Sequence, residues 1–311
     1  MLVWNGGKNL KKYTLGINTG FAVNRYAEPE SWTDVVRQAG AKSVQLTADI
    51  LNVSLPDEII IKQRRRIHNA CLQNDIKITS TFTGAFTRVN HLAHPDEDVR
   101  NYWKHWFKRF ADLTVELGCD TIGSHFGILT HRDNADPKIR EMRLQQNING
   151  WHEVAEYAAG IGIKQILWEP MSIERELGET IPRCRLLQDR VNQNSPLPFK
   201  LCLDVDHGDL SSTNPDDTDP YKWLQAFSRE APIVHLKQSS KNKSGHWPFT
   251  EEFNKDGRIH AKEFMEFYNC LNVDTCEFVL ECSFKEREPA DSTVVAALKS
   301  SVDYWRPYIP M

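Results

Sequence analysis

Eight short runs rich in apolar and β-branched residues, each followed by a stretch of helical periodicity, set the limits on what this chain can become. The runs are residues 13–18, 43–47, 77–82, 121–125, 166–169, 200–204, 233–237 and 278–281. Between and after them, helical patterns cover about 29–40, 56–75, 95–118, 137–160, 181–191, 220–227, 260–271 and 290–304. Several carry their own punctuation, such as Pro29 near a start and Gly40 at an end. Unbroken strand–helix alternation builds a parallel sheet wrapped by helices, and eight is the number that closes a (β/α)8 TIM barrel. An open doubly wound sheet is the alternative, but the first strand-to-helix turn lacks a G-x-G-x-x-G dinucleotide fingerprint. With no shift in composition to mark a linker, no short repeat and no low-complexity tract, residues 1–311 read as a single α/β barrel domain.

The last four runs end alike. Ile166-Leu-Trp-Glu169-Pro170, Lys200-Leu-Cys-Leu-Asp204-Val-Asp-His207-Gly208, Ile233-Val-His235-Leu-Lys237 and Phe278-Val-Leu-Glu281 each deliver an acid or an imidazole where the strand stops. In a barrel those carboxyl ends converge on one face, so side chains far apart in sequence meet there. One acid at a strand end is usually a loop cap, and one buried histidine is usually packing. Four in consecutive units at equivalent ends are better explained by chemistry. Three carboxylates that close repel one another, and a divalent cation is the simplest compensation. Three oxygen donors and one nitrogen suit Mn²⁺, Mg²⁺ or Co²⁺ better than a closed zinc site, which would favour cysteine. Asp206 competes with Asp204 for the third place, since strand alternation puts both on one face. Cys202 and Cys282 are read as alternating away from the ligand positions into packing.

Composition excludes several classes. A formal charge of −4 gives no general attraction to polyanions, and Arg64-Arg65-Arg66 falls inside a helical pattern as a solvated face. No run approaches a membrane span, and residues 1–8 lack the apolar core of a signal peptide. Seven cysteines without C-x-x-C spacing read as reduced thiols, so the expectation is a cytoplasmic protein with no membrane or nucleic-acid partner.

Together these motifs resemble the xylose-isomerase-like TIM-barrel superfamily over residues 15 to about 305, and within it the ketose 3-epimerases. Those enzymes carry a Glu-Pro after strand five, an Asp-x-x-His after strand six, a His in strand seven and a Glu shortly before Ser-Phe in strand eight. Glu169-Pro170, Asp204 to His207, His235 and Glu281-Cys-Ser-Phe284 match, with one extra residue before Ser-Phe. The resemblance implies Glu169, Asp204, His235 and Glu281 as ligands of one metal ion, with His207 beside a small sugar or sugar phosphate. Homo-oligomerisation is implied by analogy. Endonuclease IV is a more distant resemblance, through Leu92-Ala-His-Pro95-Asp96-Glu and His125. The chain lacks the further histidine after strand three and has only Gly245-His246-Trp247 where that family has Asp-x-His, so DNA repair is set aside.

The leading expectation is an aldose–ketose isomerase of a tetrose or pentose. Glu169 or Glu281 would move the proton through an enediolate. The alternative is a 3-epimerase of a ketose or ketose phosphate of tetrulose size, with Glu169 and Glu281 on opposite faces of the carbon. A sugar-binding barrel without catalysis is the reading from another class. His125, Lys237, Lys241, His246 and Arg88 stand as contacts to outer hydroxyls or a phosphate, and Gln45, where these families often have Glu, puts contacts from strand two in doubt.

Overall fold

The computed structural model describes residues 11–89, 91–240 and 243–309. Residues 1–8 and Lys241, both drawn on above, lie outside them. Its strands are β1 (Lys12–Asn18), β2 (Ser43–Thr47), β3 (Lys77–Phe82), β4 (Thr121–His125), β5 (Gln165–Glu169), β6 (Phe199–Asp204), β7 (Ile233–Leu236), β8 (Gln238–Ser240), β9 (Lys243–Trp247) and β10 (Thr275–Leu280). All but β8 and β9 form a closed parallel barrel, with β10 hydrogen-bonded to both β7 and β1. The helices are α1 (Pro29–Ala39), α2 (Asp57–Gln73), α3 (Glu97–Glu116), α4 (His131–Ala135), α5 (Pro137–Ile161), α6 (Ile181–Asn192), α7 (Pro220–Phe227), α8 (Glu251–Lys255), α9 (Ala261–Asn269) and α10 (Ala290–Trp305).

Local chemistry fixes many of these boundaries. Asp96, Asp136 and Thr180 cap α3, α5 and α6 by accepting backbone N–H groups of the first turn, which have no partner within the helix. Gly40 and Gly162 end α1 and α5 in the left-handed conformation. The arginine run of α2 is a surface tie: Arg64 pairs with Glu116 of α3, and Arg66 with Glu30 of α1 at 2.7 Å. Among the described residues no helix is long and apolar enough to cross a membrane.

Two packed layers result. The larger lies between sheet and helices and includes Trp32, Trp106, Trp151, Trp168 and Trp305, all essentially buried. The smaller fills the barrel with Phe82, Leu167, Cys202, Ile233 and Val279. Four of these stand two residues before Glu169, Asp204, His235 and Glu281, so each strand presents an apolar side chain and then a polar one above it on the inner face. The polar layer therefore rests on a dry floor.

The same parity corrects the reading of Cys202. It is two residues from Asp204, hence on the ligand face, and its Sγ lies 3.2 Å from His235 Nε2. Cys282, next to Glu281, is buried outside that layer, its Sγ 4.0 Å from the Trp247 carbonyl. All seven cysteines are free thiols.

Candidate metal centre

Strand register brings the site together. Glu169 of β5 pairs across to His125 of β4, and Asp204 of β6 to His235 of β7. Glu281 follows the last residue of β10, its N–H donating to the Leu236 carbonyl at 2.9 Å. Glu169, Asp204, His235 and Glu281 each offer one ligand atom, all within 4.8 Å of one another. His235 Nδ1 lies 3.2 Å from Glu169 Oε1, 3.7 Å from Glu281 Oε2 and 4.0 Å from Asp204 Oδ2. Asp206 turns elsewhere: it accepts from Arg258 at 3.0 Å and from Gly245 N–H at 2.8 Å, which anchors the β8–β9 hairpin.

Lys237, wholly buried, places Nζ 2.5 Å from Asp204 Oδ2 and 3.0 Å from Glu281 Oε2. Burial pulls its ammonium down, but those two carboxylates outweigh it and keep the lysine charged. Burial likewise pushes the Glu281 carboxyl up, while Lys237, His235 and His246 together hold it well below the usual range. Asp204 follows the same pattern: burial raises it, and His207 and Lys237 bring it below its ordinary value. Burial pushes the Cys202 thiol up to about 12, so it stays protonated.

The donor set fits a divalent ion. Three carboxylates carry three negative charges, and Lys237 returns one, leaving two for a cation to neutralise in a largely buried site. Asp204 Oδ2 has one close partner, the Lys237 ammonium, and so keeps a second lone pair for a metal.

The cleft above encloses about 350 Å³, at the small end of ligand pockets, and is lined by His125, Glu169, His207, His246, Glu281 and Arg88 among others. His207 Nδ1 faces the Pro170 carbonyl at 3.0 Å and Glu169 Oε1 at 3.4 Å. Both are acceptors, so Nδ1 carries the proton and Nε2 is left for a ligand. His125 Nε2 is 3.7 Å from Glu169 Oε2, and burial holds its pKa well below the ordinary histidine value. His246 reaches Glu281 Oε2 at 3.3 Å from the β8–β9 hairpin, which sequence reasoning left as loop. Arg88 is tied to Glu176 at 2.6 Å across the rim. Lys237 is the exception among the expected substrate contacts, being spent on Asp204 and Glu281.

A barrel of this order, with this polar layer at the carboxyl ends of its strands, defines a class. A sequence profile of the xylose isomerase-like TIM barrel family matches residues 33–306, and the chain belongs to that family. Within it, the D-erythrulose 1-phosphate 3-epimerase of Brucella abortus (strain 2308) is 43% identical over 298 residues, 95% of this chain and 96% of its own. A Rhodospirillum rubrum structure provisionally assigned as a xylose isomerase superposes with TM-score 0.86 at 24% identity, over 96% of this chain and all of its own. D-psicose 3-epimerase from Clostridium cellulolyticum H10 superposes at 0.70 with 15% identity, over 96% of this chain and all of its own. At those identities the two structures establish the fold alone. The chain is an enzyme of the isomerase class. Of the two reactions drawn from its sequence, the relative's favours 3-epimerisation over the aldose–ketose isomerisation put first.

Proposed function

We propose that this chain is a metal-dependent 3-epimerase of a ketose phosphate of tetrulose size, D-erythrulose 1-phosphate or a near analogue, acting as one domain over residues 1–311. The observation that carries the reading is the placing of Glu169 and Glu281. Both line one cleft, and they enter it from β5 and the end of β10, with β6 and β7 between them in the ring. One base on each side of a carbon is what inversion requires.

Glu169, Asp204, His235 and Glu281 would hold Mn²⁺, Mg²⁺ or Co²⁺, which supplies a Lewis acid for the substrate's carbonyl and adjacent hydroxyl oxygens. One glutamate takes the C3 proton as a carboxylate while the C3–H bonding pair moves into the enediolate. The other, a carboxylate in the free site, takes up a proton from solvent as the anionic substrate enters and returns it to the opposite face. Solvent exchange then resets the pair. His207 meets a substrate hydroxyl through Nε2, with His125 and His246 on neighbouring walls. Of the two arginines lining the cleft, Arg25 is paired with Asp291, and Arg88 would take the phosphate, exchanging Glu176 for the ester oxygens. An ester on C1 also removes the free hydroxyl that aldose formation needs. Free thiols suit a reducing compartment such as the cytoplasm, and self-association into a homo-oligomer rests on the family resemblance.

The test is product identity. Metal-free protein reloaded with Mn²⁺ is given erythrulose and its 1-phosphate. The expected result is the C3 epimer of the phosphate, lost on chelation and regained with metal. Faster conversion of free erythrulose to an aldotetrose would return the isomerase reading.

A further inference from the structure

The polar residue at the centre of β2, Gln45, is wholly buried inside the barrel, and it is one link in a series of hydrogen bonds that begins at a backbone amide. Gly20 N–H donates to Asn18 Oδ1 at 2.7 Å. A backbone amide only donates, so this bond fixes which way Asn18 faces and turns its NH₂ toward Gln45. Asn18 Nδ2 donates to Gln45 Oε1 at 2.8 Å, and Gln45 Nε2 turns to Ser80 Oγ at 3.3 Å. The same Oε1 lies 2.7 Å from His235 Nε2. A carbonyl oxygen only accepts, so Nε2 bears the proton of the neutral ring, and the Cys202 sulfur is a second, weaker acceptor for it at 3.2 Å. Nδ1 is the nitrogen that faces Glu169, Glu281 and Asp204; without a metal those carboxylates hold a second proton on it, and a cation would displace that proton and take the lone pair.

We infer that Asn18 and Gln45 are positioning residues that lock His235 in the Nε2–H tautomer and so present Nδ1 to the metal. The inference rests on the reading of the four-residue cluster as a metal centre. The chain's departure from the family's frequent glutamate acquires a reason: with three carboxylates, Lys237 and a divalent ion the charges sum to zero, and a fourth carboxylate at position 45 would stand uncompensated. A neutral amide supplies the acceptor without the charge.

Cobalt titration of the metal-free protein, followed by visible absorption and by competition with a chelator, tests the lock without using turnover. Gln45→Met keeps the length and removes the acceptor; its Co²⁺ affinity is expected to fall about 10–100-fold with a changed absorption band. Gln45→Glu, which restores an acceptor, is expected to bind at least as tightly as the parent, and Asn18→Ala to lose affinity in the same direction as Gln45→Met by a smaller factor. Should Gln45→Met fail to fold by circular dichroism, Asn18→Ala carries the comparison. Parental affinity and spectrum in Gln45→Met, or in Asn18→Ala where it stands in, overturns the inference while leaving the metal centre intact. So does a Gln45→Glu protein as weak as Gln45→Met. A parent that takes up no Co²⁺ overturns the metal reading itself.

Discussion

At the residue scale, what decides a side chain's role is which of its atoms are already committed. His235, His207 and His91 are all enclosed imidazoles, yet they differ. His235 gives Nε2–H to Gln45, and His207 gives Nδ1–H to Pro170. His91 accepts from Leu92 N–H through Nδ1 at 2.9 Å, and its Nε2 has no partner among the described residues, in a nest of Trp103, Phe107 and Trp151. Burial, reinforced by Arg88, lowers its pKa to about 3. The unfolded ring titrates near 6.5, so the neutral ring's contribution is complete above that pH and is lost as pH falls toward 3. At pH 4.5 the loss is about 2–3 kcal/mol. His91→Asn, which tolerates the positive φ of 28° there, is expected to flatten the acid side of a urea-midpoint profile between pH 7 and 4.5. An unchanged slope would assign acid sensitivity to other groups. The sequence made Glu169, Asp204, His235 and Glu281 legible because a charged or imidazole residue interrupts an apolar run. It hid the part played by Gln45, whose partners come from β1, β3 and β7. The side taken by Cys202 was open to strand parity, as two residues from Asp204 means the same face.

At the element scale, each strand end needs a turn that releases the chain without moving the ligand. After β6 that turn is Gly208, at φ +124°, where an added Cβ would stand 1.9 Å from the Asp217 carbonyl oxygen. Gly208→Ala therefore meets both backbone strain and a collision, and is expected to lose about 2–3 kcal/mol of stability and to displace His207. Urea denaturation together with Mn²⁺-dependent turnover checks this; parental values in both would mean the turn adapts freely. The barrel strands were legible as apolar or β-branched runs. The β8–β9 hairpin was not, because Lys243-Ser-Gly-His-Trp247 has no β-branched residue and its placing comes from tertiary contacts. Gly245 N–H on Asp206 and Ser283 N–H on the His246 carbonyl hold it over the site. The short helices α4 and α8 fall below the length at which helical periodicity can be recognised.

At the scale of the whole molecule, closure of the ring is what turns scattered residues into a site. Alternation of strand and helix foretells the parallel sheet, and the count of eight foretells closure, because both are properties of order along the chain. The pairing of loop side chains at the rim, such as Arg88 with Glu176, depends on three-dimensional approach, which order along the chain does not give. The central claim is that Glu169 and Glu281 serve opposite faces of one substrate carbon. The most direct measurement is deuterium wash-in at C3 by Mn²⁺-loaded Glu169→Gln and Glu281→Gln, each given both epimers of the ketose phosphate in deuterium oxide. The account predicts that each variant exchanges the C3 proton of one epimer without inverting it, the two variants choosing opposite epimers. Full epimerisation by either variant, or exchange of the same epimer by both, would contradict it.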